Sequence, residues 1–307
     1  MNGIPPGNRN PEKPAILRKF IEGVNKLGMD NGQISRQWSP MMCDVAVLQG
    51  FVHENSKKAQ HLQLRKEVLE LQNFNNKRTI IIDSNLFLYR DPGNTKKYLR
   101  YSYDGVFPTT GEYCNGQVDP SRWEKIKSDL NFDLQPWKLN KGRYILLCAQ
   151  RDGGWSMQGK SVVQWVRETV ADLRKITQMP IHIRLHPGDG RNNRHVRFLE
   201  NLQNVTIVDV TKTSLLDNLQ EAWATVVYNS SPAVASVIEG VPTFITDPNP
   251  KNCQAYGVTH IGLKDILNPQ EFDRSQWILR MAQMHWNQND LSSGECWKWM
   301  RQWAQRQ

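Results

Sequence analysis

The run from Arg143 to about Ile245 constrains the fold most, because short apolar segments alternate there with segments of helical period. "YILLCAQ" (Tyr144–Gln150) is apolar and of strand length. "SVVQWVRETVADLRKI" (Ser161–Ile176) places Val162, Val166, Val170 and Leu173 on one stripe, the mark of a helix with one buried face. "IHIRLH", "VTIVDV", "ATVVYN" and "PTFIT" read as further strands, with helices in "SLLDNLQEA" and from Pro232 between them. Strands of continuous apolar character joined through helices predict a parallel sheet covered on both faces, a Rossmann-like unit.

The first half is of the same kind with more irregular stretches. "DVAVLQGF" (Asp44–Phe51) and "RTIIIDS" (Arg78–Ser84) are strands around the helical "KKAQHLQLRKEVLELQN". "NTKKYLRYSYDGVFPTTGEYCNGQVDP" reads as a long loop-rich stretch, and "SRWEKIKSDLNFDLQPW" as a short helix with a polar linker. From about Gln276 the chain reads as helical and carries five of the eleven tryptophans. Trp297, Trp299 and Trp303 with Met300 form an apolar face, packed either on its own domain or back on the first. The expected organisation is therefore α/β, with two Rossmann-like domains at 1–140 and 141–290 and a terminal helix at 291–307.

A chain of 307 residues with 39% hydrophobic content can bury two such cores. No apolar run approaches the roughly 20 residues of a membrane helix, and "MNGIPPGNRNPEKPAIL" has no signal-peptide core. Five scattered cysteines without a CxxC pair read as reduced thiols, which predicts a cytoplasmic protein, in the host cytoplasm if phage-encoded. The net charge of +9 is spread over both halves, so a polyanion, either nucleic acid or an anionic membrane surface, is a candidate partner.

In open parallel sheets ligands bind outside the carboxyl ends of the strands. The first such loop of the second half, "AQRDGGWSMQGK", offers Arg151 and the flexible Gly154 to a phosphate or sugar, but it matches neither a Walker loop nor GxGxxG. The next, "RLHPGDGR", presents His186 from a backbone fixed by Pro187, between Arg184 and Arg191. In "VVYNSSPAVASVIEGVPTFI", Ser231 is placed as N-cap and Pro232 as first helical residue. The following N–H groups, with the side chains of Asn229 and Ser230, then make a phosphate seat. Glu239 at the end of that helix is a candidate acceptor for ribose hydroxyls.

The His-Pro after one strand and the Ser-Ser opening a later helix resemble the donor-binding domain of GT-B glycosyltransferases. The similarity is to the sialyltransferase-like and capsule-polysaccharide families, over Arg143 to about Pro269. It implies two Rossmann-like domains facing a cleft, a nucleotide-sugar donor (UDP- or CMP-linked) and phosphate contacts from His186, Pro187, Ser230 and Ser231. It also implies no metal and no other cofactor, consistent with the lack of an Asp-x-Asp triplet. An inverting enzyme needs a base for the acceptor hydroxyl, and the candidates are Asp104 in "RYSYDGVFP", Asp83 in "IIIDSN" and His53 in "GFVHEN", with Asp104 preferred.

The acceptor expected from composition is DNA. Small basic chains of this kind resemble phage enzymes that glycosylate hydroxymethylated pyrimidines in double-stranded DNA. The candidate track is Arg90, Lys96, Lys97 and Arg100, interleaved with Tyr89, Tyr98, Tyr101 and Tyr103, plus Arg191, Arg194 and Arg197. Two alternatives stay open: a capsule or lipopolysaccharide glycan acceptor, and a non-catalytic nucleic-acid-binding module on a degenerate transferase fold.

Overall fold

The computed structural model describes residues 12–35, 37–50, 59–152 and 155–305. In chain order its elements begin α1 Glu12–Leu27, β1 Val45–Gln49, α2 Gln60–Phe74, β2 Arg78–Asp83, β3 Leu99–Tyr103 and α3 Pro120–Leu130. There follow β4 Tyr144–Cys148, α4 Val162–Arg174, β5 Ile181–Arg184, α5 Asn192–Leu199, β6 Val205–Ile207, α6 Leu215–Gln220, β7 Ala222–Val227, α7 Pro232–Ile238, β8 Thr243–Ile245 and β9 His260–Ile261. The last elements are α8 Ser275–Gln283, β10 His285–Trp286, α9 Gln288–Ser293 and α10 Glu295–Met300. No described helix is long and apolar enough to cross a membrane.

The chain forms two units, residues 1–85, 93–129 and 278–307 in the first, and 86–92 and 130–277 in the second. The boundaries fall near 130 and 278, because α3 packs with the first unit and the chain returns to it after Trp277. The first unit holds a four-stranded sheet in the order β1-β2-β3-β10. β1 and β2 are parallel, whereas β3 runs antiparallel to β2 and β10 antiparallel to β3. Neither β3 nor β10 was expected. In "LRYSY" a charged residue alternates with aromatic ones, yet Arg100, Tyr101, Ser102 and Tyr103 are all buried.

The core of this unit joins Ile16, Phe20 and Val24 of α1, spaced one turn apart, to Ile80 and Ile82 of β2 and to Trp286, Leu291, Trp297 and Met300. The terminal aromatic face is thus covered by the first unit. Gly23 permits the close approach of α1 and α9, since a Cβ there would stand 1.8 Å from the Leu291 carbonyl.

The second unit is a six-stranded, all-parallel sheet in the order β6-β5-β4-β7-β8-β9. Every residue of β4 is buried, as an unbroken apolar run in the middle of a covered parallel sheet requires. The stripe Val162, Val166, Val170 and Leu173 of α4 packs into this core. At the end of α7, Gly240 adopts φ +74 and passes so close to Pro136 that a Cβ would lie 2.0 Å from its carbonyl oxygen. That contact lets residues 135–138 bond to the end of α7, Gln135 N–H to the Ile238 carbonyl and Lys138 N–H to the Gly240 carbonyl.

Candidate functional site

In the second unit β4, β5 and β6 succeed one another in one direction and β7, β8 and β9 in the other, so the strand order reverses between β4 and β7. Loops leaving the carboxyl ends of those two strands diverge and leave a crevice, the usual ligand position in open α/β sheets. At its floor the Asn229 N–H donates to Gln150 Oε1 at 3.2 Å, and Gln150 Nε2 donates to Ser156 Oγ at 2.8 Å. Asn229 Nδ2 donates to Asp247 Oδ2 at 2.6 Å and to the Ser156 carbonyl at 3.2 Å. Asn252 adds a bond to the same Asp247 oxygen at 3.2 Å. Gln150, Asn229, Asp247 and Asn252 are all buried, so the crevice rests on a connected polar network.

This network changes the expected role of Asn229. Both hydrogens of its amide point inward to Ser156 and Asp247, so its side chain fixes the loop and does not supply a donor to a phosphate. Ser231 departs from expectation too. It occupies the N-cap position of α7 with helical φ −58 and ψ −26, and its hydroxyl makes no capping bond. The α7 amides of Ala233 and Val234 donate to the carbonyls of Ser230 and Ser231 in a tightened first turn, which shrinks the seat expected from free N–H groups. Ser230 differs from its neighbours: its Oγ is buried and has no hydrogen-bond partner.

On the β5 side of β4, His186 Nδ1 accepts the Gly188 N–H at 3.0 Å. Burial, and then the charge of Arg151, push its imidazole below the usual value. The ring is therefore neutral at pH 7 with its proton on Nε2, a hydrogen-bond donor. Arg151 is exposed and its guanidinium lies over Gly188, where a Cβ would stand 2.7 Å from Nη2. Pro187 is exposed beside it. Arg184 faces the other way, donating from Nη1 to the Thr213 carbonyl at 2.8 Å and to Asn218 Oδ1 at 2.7 Å, so it anchors α6 and is not available to a ligand. Gly154 lies outside the described residues.

Asp189, buried, ties the loops after β4 and β5 together. Its oxygens accept the N–H groups of Asp152 at 2.7 Å and Arg191 at 2.9 Å. Burial raises its carboxyl, but these bonds together with the neighbouring His195 hold it below the usual carboxylate range. Arg191 completes the link through Nη1 to Asp152 Oδ2 at 2.8 Å.

Glu239 does not face the crevice. α7 runs back along the sheet, so seven residues carry the chain about 10 Å from Ser231 toward the amino ends of the strands. There Glu239 is buried, and its Oε1 accepts from Tyr89 Oη at 2.8 Å, Arg90 Nε at 2.9 Å and Arg90 Nη2 at 2.5 Å. Burial, and then the Glu239 carboxylate, push the Tyr89 hydroxyl well above its ordinary value. Glu239 and Arg90 are thus paired with each other, where a ribose contact and a DNA contact were expected of them.

In the first unit, β3 runs opposite to β1 and β2, so its end lies beside their amino ends. Asp104, following β3, therefore sits at the edge away from the parallel strands' carboxyl ends. It binds Arg78 Nε at 2.9 Å and the Thr79 N–H at 2.8 Å, at a left-handed φ of +64. Asp83 ends β2 at the carboxyl edge and pairs with Arg100 Nη2 at 2.5 Å. His53 lies outside the described residues. Arg100, Tyr98, Tyr101 and Tyr103 are buried, which removes the expected stacking groups of a DNA track. Lys96, Arg191 and Arg194 are exposed and Lys97 is half-buried. Gln150, Asp189 and Asp247 escaped sequence reasoning, although each follows a strand within a few residues, the signal that singled out His186.

Among the described residues no cluster of three or more His, Cys, Asp or Glu side chains is arranged to hold a metal ion. No family model and no curated protein matches the chain. Among solved structures it is similar to Thermosulfurimonas dismutans KpsC, beta Kdo 2,4 transferase, at TM-score 0.54 and 14% identity over 87% of this chain and 88% of that one. The KpsC beta Kdo 2,7 transferase of the same organism follows at TM-score 0.49 and 15% identity, covering 88% and 86%. At this identity the first likeness is one of fold: the chain has the two-domain, Rossmann-like α/β fold of GT-B proteins.

Proposed function

We propose that the chain is a glycosyltransferase that holds a nucleotide sugar by its phosphate at the β4–β7 crevice and transfers the sugar to a saccharide hydroxyl. One observation carries this reading: at the switch point of the parallel sheet, the buried Ser230 Oγ has no protein partner. Buried hydroxyls are rarely left so, and an oxyanion supplies the missing bond. The further phosphate contacts are Arg151, from the loop after β4, and His186 Nε2–H, from the loop after β5, two strand spacings or about 10 Å from β7. Fixed N–H donors and an arginine can stabilise a departing nucleoside phosphate without a metal ion. Asp83, at the carboxyl edge of β2, is the base we assign in the first unit, in place of Asp104.

Two things favour a saccharide over hydroxymethylated DNA as acceptor. A similar solved structure is described as a Kdo transferase, and Tyr98, Tyr101 and Tyr103 of the DNA track are buried. Incubation with UDP- and CMP-linked sugars, in parallel with acidic oligosaccharides and hydroxymethylated DNA, tests the reading by mass change of each acceptor. Labelling of the oligosaccharide supports it. Labelling of DNA alone restores the DNA acceptor, and release of no nucleotide from any donor leaves the binding-module reading.

A further inference from the structure

A second cavity of the second unit, about 270 Å³, opens between the start of α4 and one face of α5. Arg191 at the N-cap of α5 and Arg194, His195 and Phe198 on it, three and four residues apart, line it opposite Asp152, Ser161 and Val163. None of the crevice groups Gln150, His186, Ser230 or Asp247 belongs to it.

The chemistry of this wall is unusual for a surface helix. Phe198 is 48% exposed, and the Arg194 guanidinium lies 5.8 Å from its ring centroid, with no acidic partner among the described residues. His195 is only 3% exposed, and its Nε2 faces Asp189 Oδ2 at 3.4 Å. Asp189, which also accepts two main-chain N–H groups, holds this imidazole at the inner wall of the cavity. Arg191 is held across the mouth by Asp152. The cavity thus combines an exposed aromatic ring, a guanidinium lying near it, and a buried imidazole that faces Asp189. A guanidinium beside an aromatic face suits a planar or apolar group carrying an oxyanion, because the charge binds the oxyanion while the ring covers the apolar part.

We propose that this α4–α5 cavity is a second ligand site, which takes a small molecule bearing a phosphate or carboxylate next to an apolar or aromatic portion. The proposal stands on the cavity alone and does not depend on sugar transfer at the crevice. Phenyl phosphate, benzoate and inorganic phosphate serve as probes on the full chain, with binding followed by NMR chemical-shift titration. Phenyl phosphate and benzoate are the arms that separate a phosphate from a carboxylate ligand.

The expected result is saturable binding of at least one aromatic probe, tighter than inorganic phosphate. Arg194→Ala, a change at an exposed side chain, weakens it at least tenfold, and Phe198→Ala weakens the aromatic probe more than inorganic phosphate. Ser230→Ala leaves the aromatic probe's affinity within twofold. Equal affinity in the parent and in Arg194→Ala overturns the proposal, as does loss of binding in Ser230→Ala alone, which places the probe in the crevice. No binding of any probe up to tens of millimolar overturns it as well.

Discussion

Gln150 and Asn229 are joined by a hydrogen bond of 3.2 Å, from the Asn229 N–H to the Gln150 side-chain carbonyl, at the point where the strand order reverses. The bond fixes the loop that presents Ser230, and the Asn229 side chain anchors the same loop to Asp247.

Asn229→Ala removes the donors that satisfy Asp247 Oδ2 and the Ser156 carbonyl, leaving buried acceptors short of partners. The expected cost is about 1–3 kcal/mol, read as a lower midpoint of denaturant unfolding with unchanged slope. Asn229→Asp should be worse, because it sets a second carboxylate against buried Asp247. A midpoint equal to the parent's in both variants would show that the network does not hold the loop.

Arg90→Ala leaves the buried Glu239 carboxylate without its ion-pair partner, hydrogen-bonded to the Tyr89 hydroxyl. A loss on the order of 3 kcal/mol is expected, since a buried charge loses its counter-ion. The paired change Arg90→Met with Glu239→Leu should recover part of that loss, because neither charge then remains. A surface contact of the kind expected of Arg90 would show no such loss.

Asp83→Asn and Asp104→Asn separate the two carboxylates by position in the first sheet. If Asp83 accepts the acceptor proton, Asp83→Asn lowers kcat by about 100-fold or more with donor affinity retained. Asp104→Asn weakens the ion pair with Arg78 and lowers stability, while turnover per folded molecule persists. The reverse pattern returns the base to Asp104.

Stability should fall on mild acidification. His285 is fully buried, donates from Nδ1 to the Met281 carbonyl at 2.6 Å, and its pKa is pushed from 6.5 down to about 3 by burial. The unfolded chain therefore takes up this proton below about pH 6.5 while the folded chain refuses it until about pH 3. The stabilisation is complete above 6.5 and declines by up to about 1.4 kcal/mol per pH unit between those limits. His182, His186 and His260 are shifted in the same direction. His285→Gln should flatten the slope of unfolding free energy between pH 6.5 and 5 by about one proton. An unchanged slope would mean that His285 is not the group responsible.

The parallel sheet of the second unit was legible because β4 and α4 carry unmistakable patterns, an unbroken apolar run and a stripe of period 3.6. The first unit was less so. β3 contains Arg100 and Ser102 at buried positions, bonded to Asp83 and to the Gly105 carbonyl, and no periodicity signals a strand whose buried polar residues find their partners outside it. β10 has two residues inside a stretch of helices, too short to leave a pattern.

The site divides in the same way. His186 and Ser230 were visible as polar residues at strand ends. Glu239 was misplaced because sequence distance along α7 does not reveal that the helix carries it to the opposite edge of the sheet. The tyrosines around Lys96 and Lys97 looked like a stacking surface, since alternation alone does not say which face is covered.

Nucleotide affinity of the parent, His186→Ala and Ser230→Ala, measured calorimetrically with CMP, UDP and excess chelator present, tests the crevice assignment most directly. The parent should bind one of these nucleotides with chelator present, and each variant should bind it about 10–100-fold more weakly, the loss of one hydrogen bond to a charged phosphate. Affinities in both variants equal to the parent's would contradict a phosphate seated between His186 and Ser230.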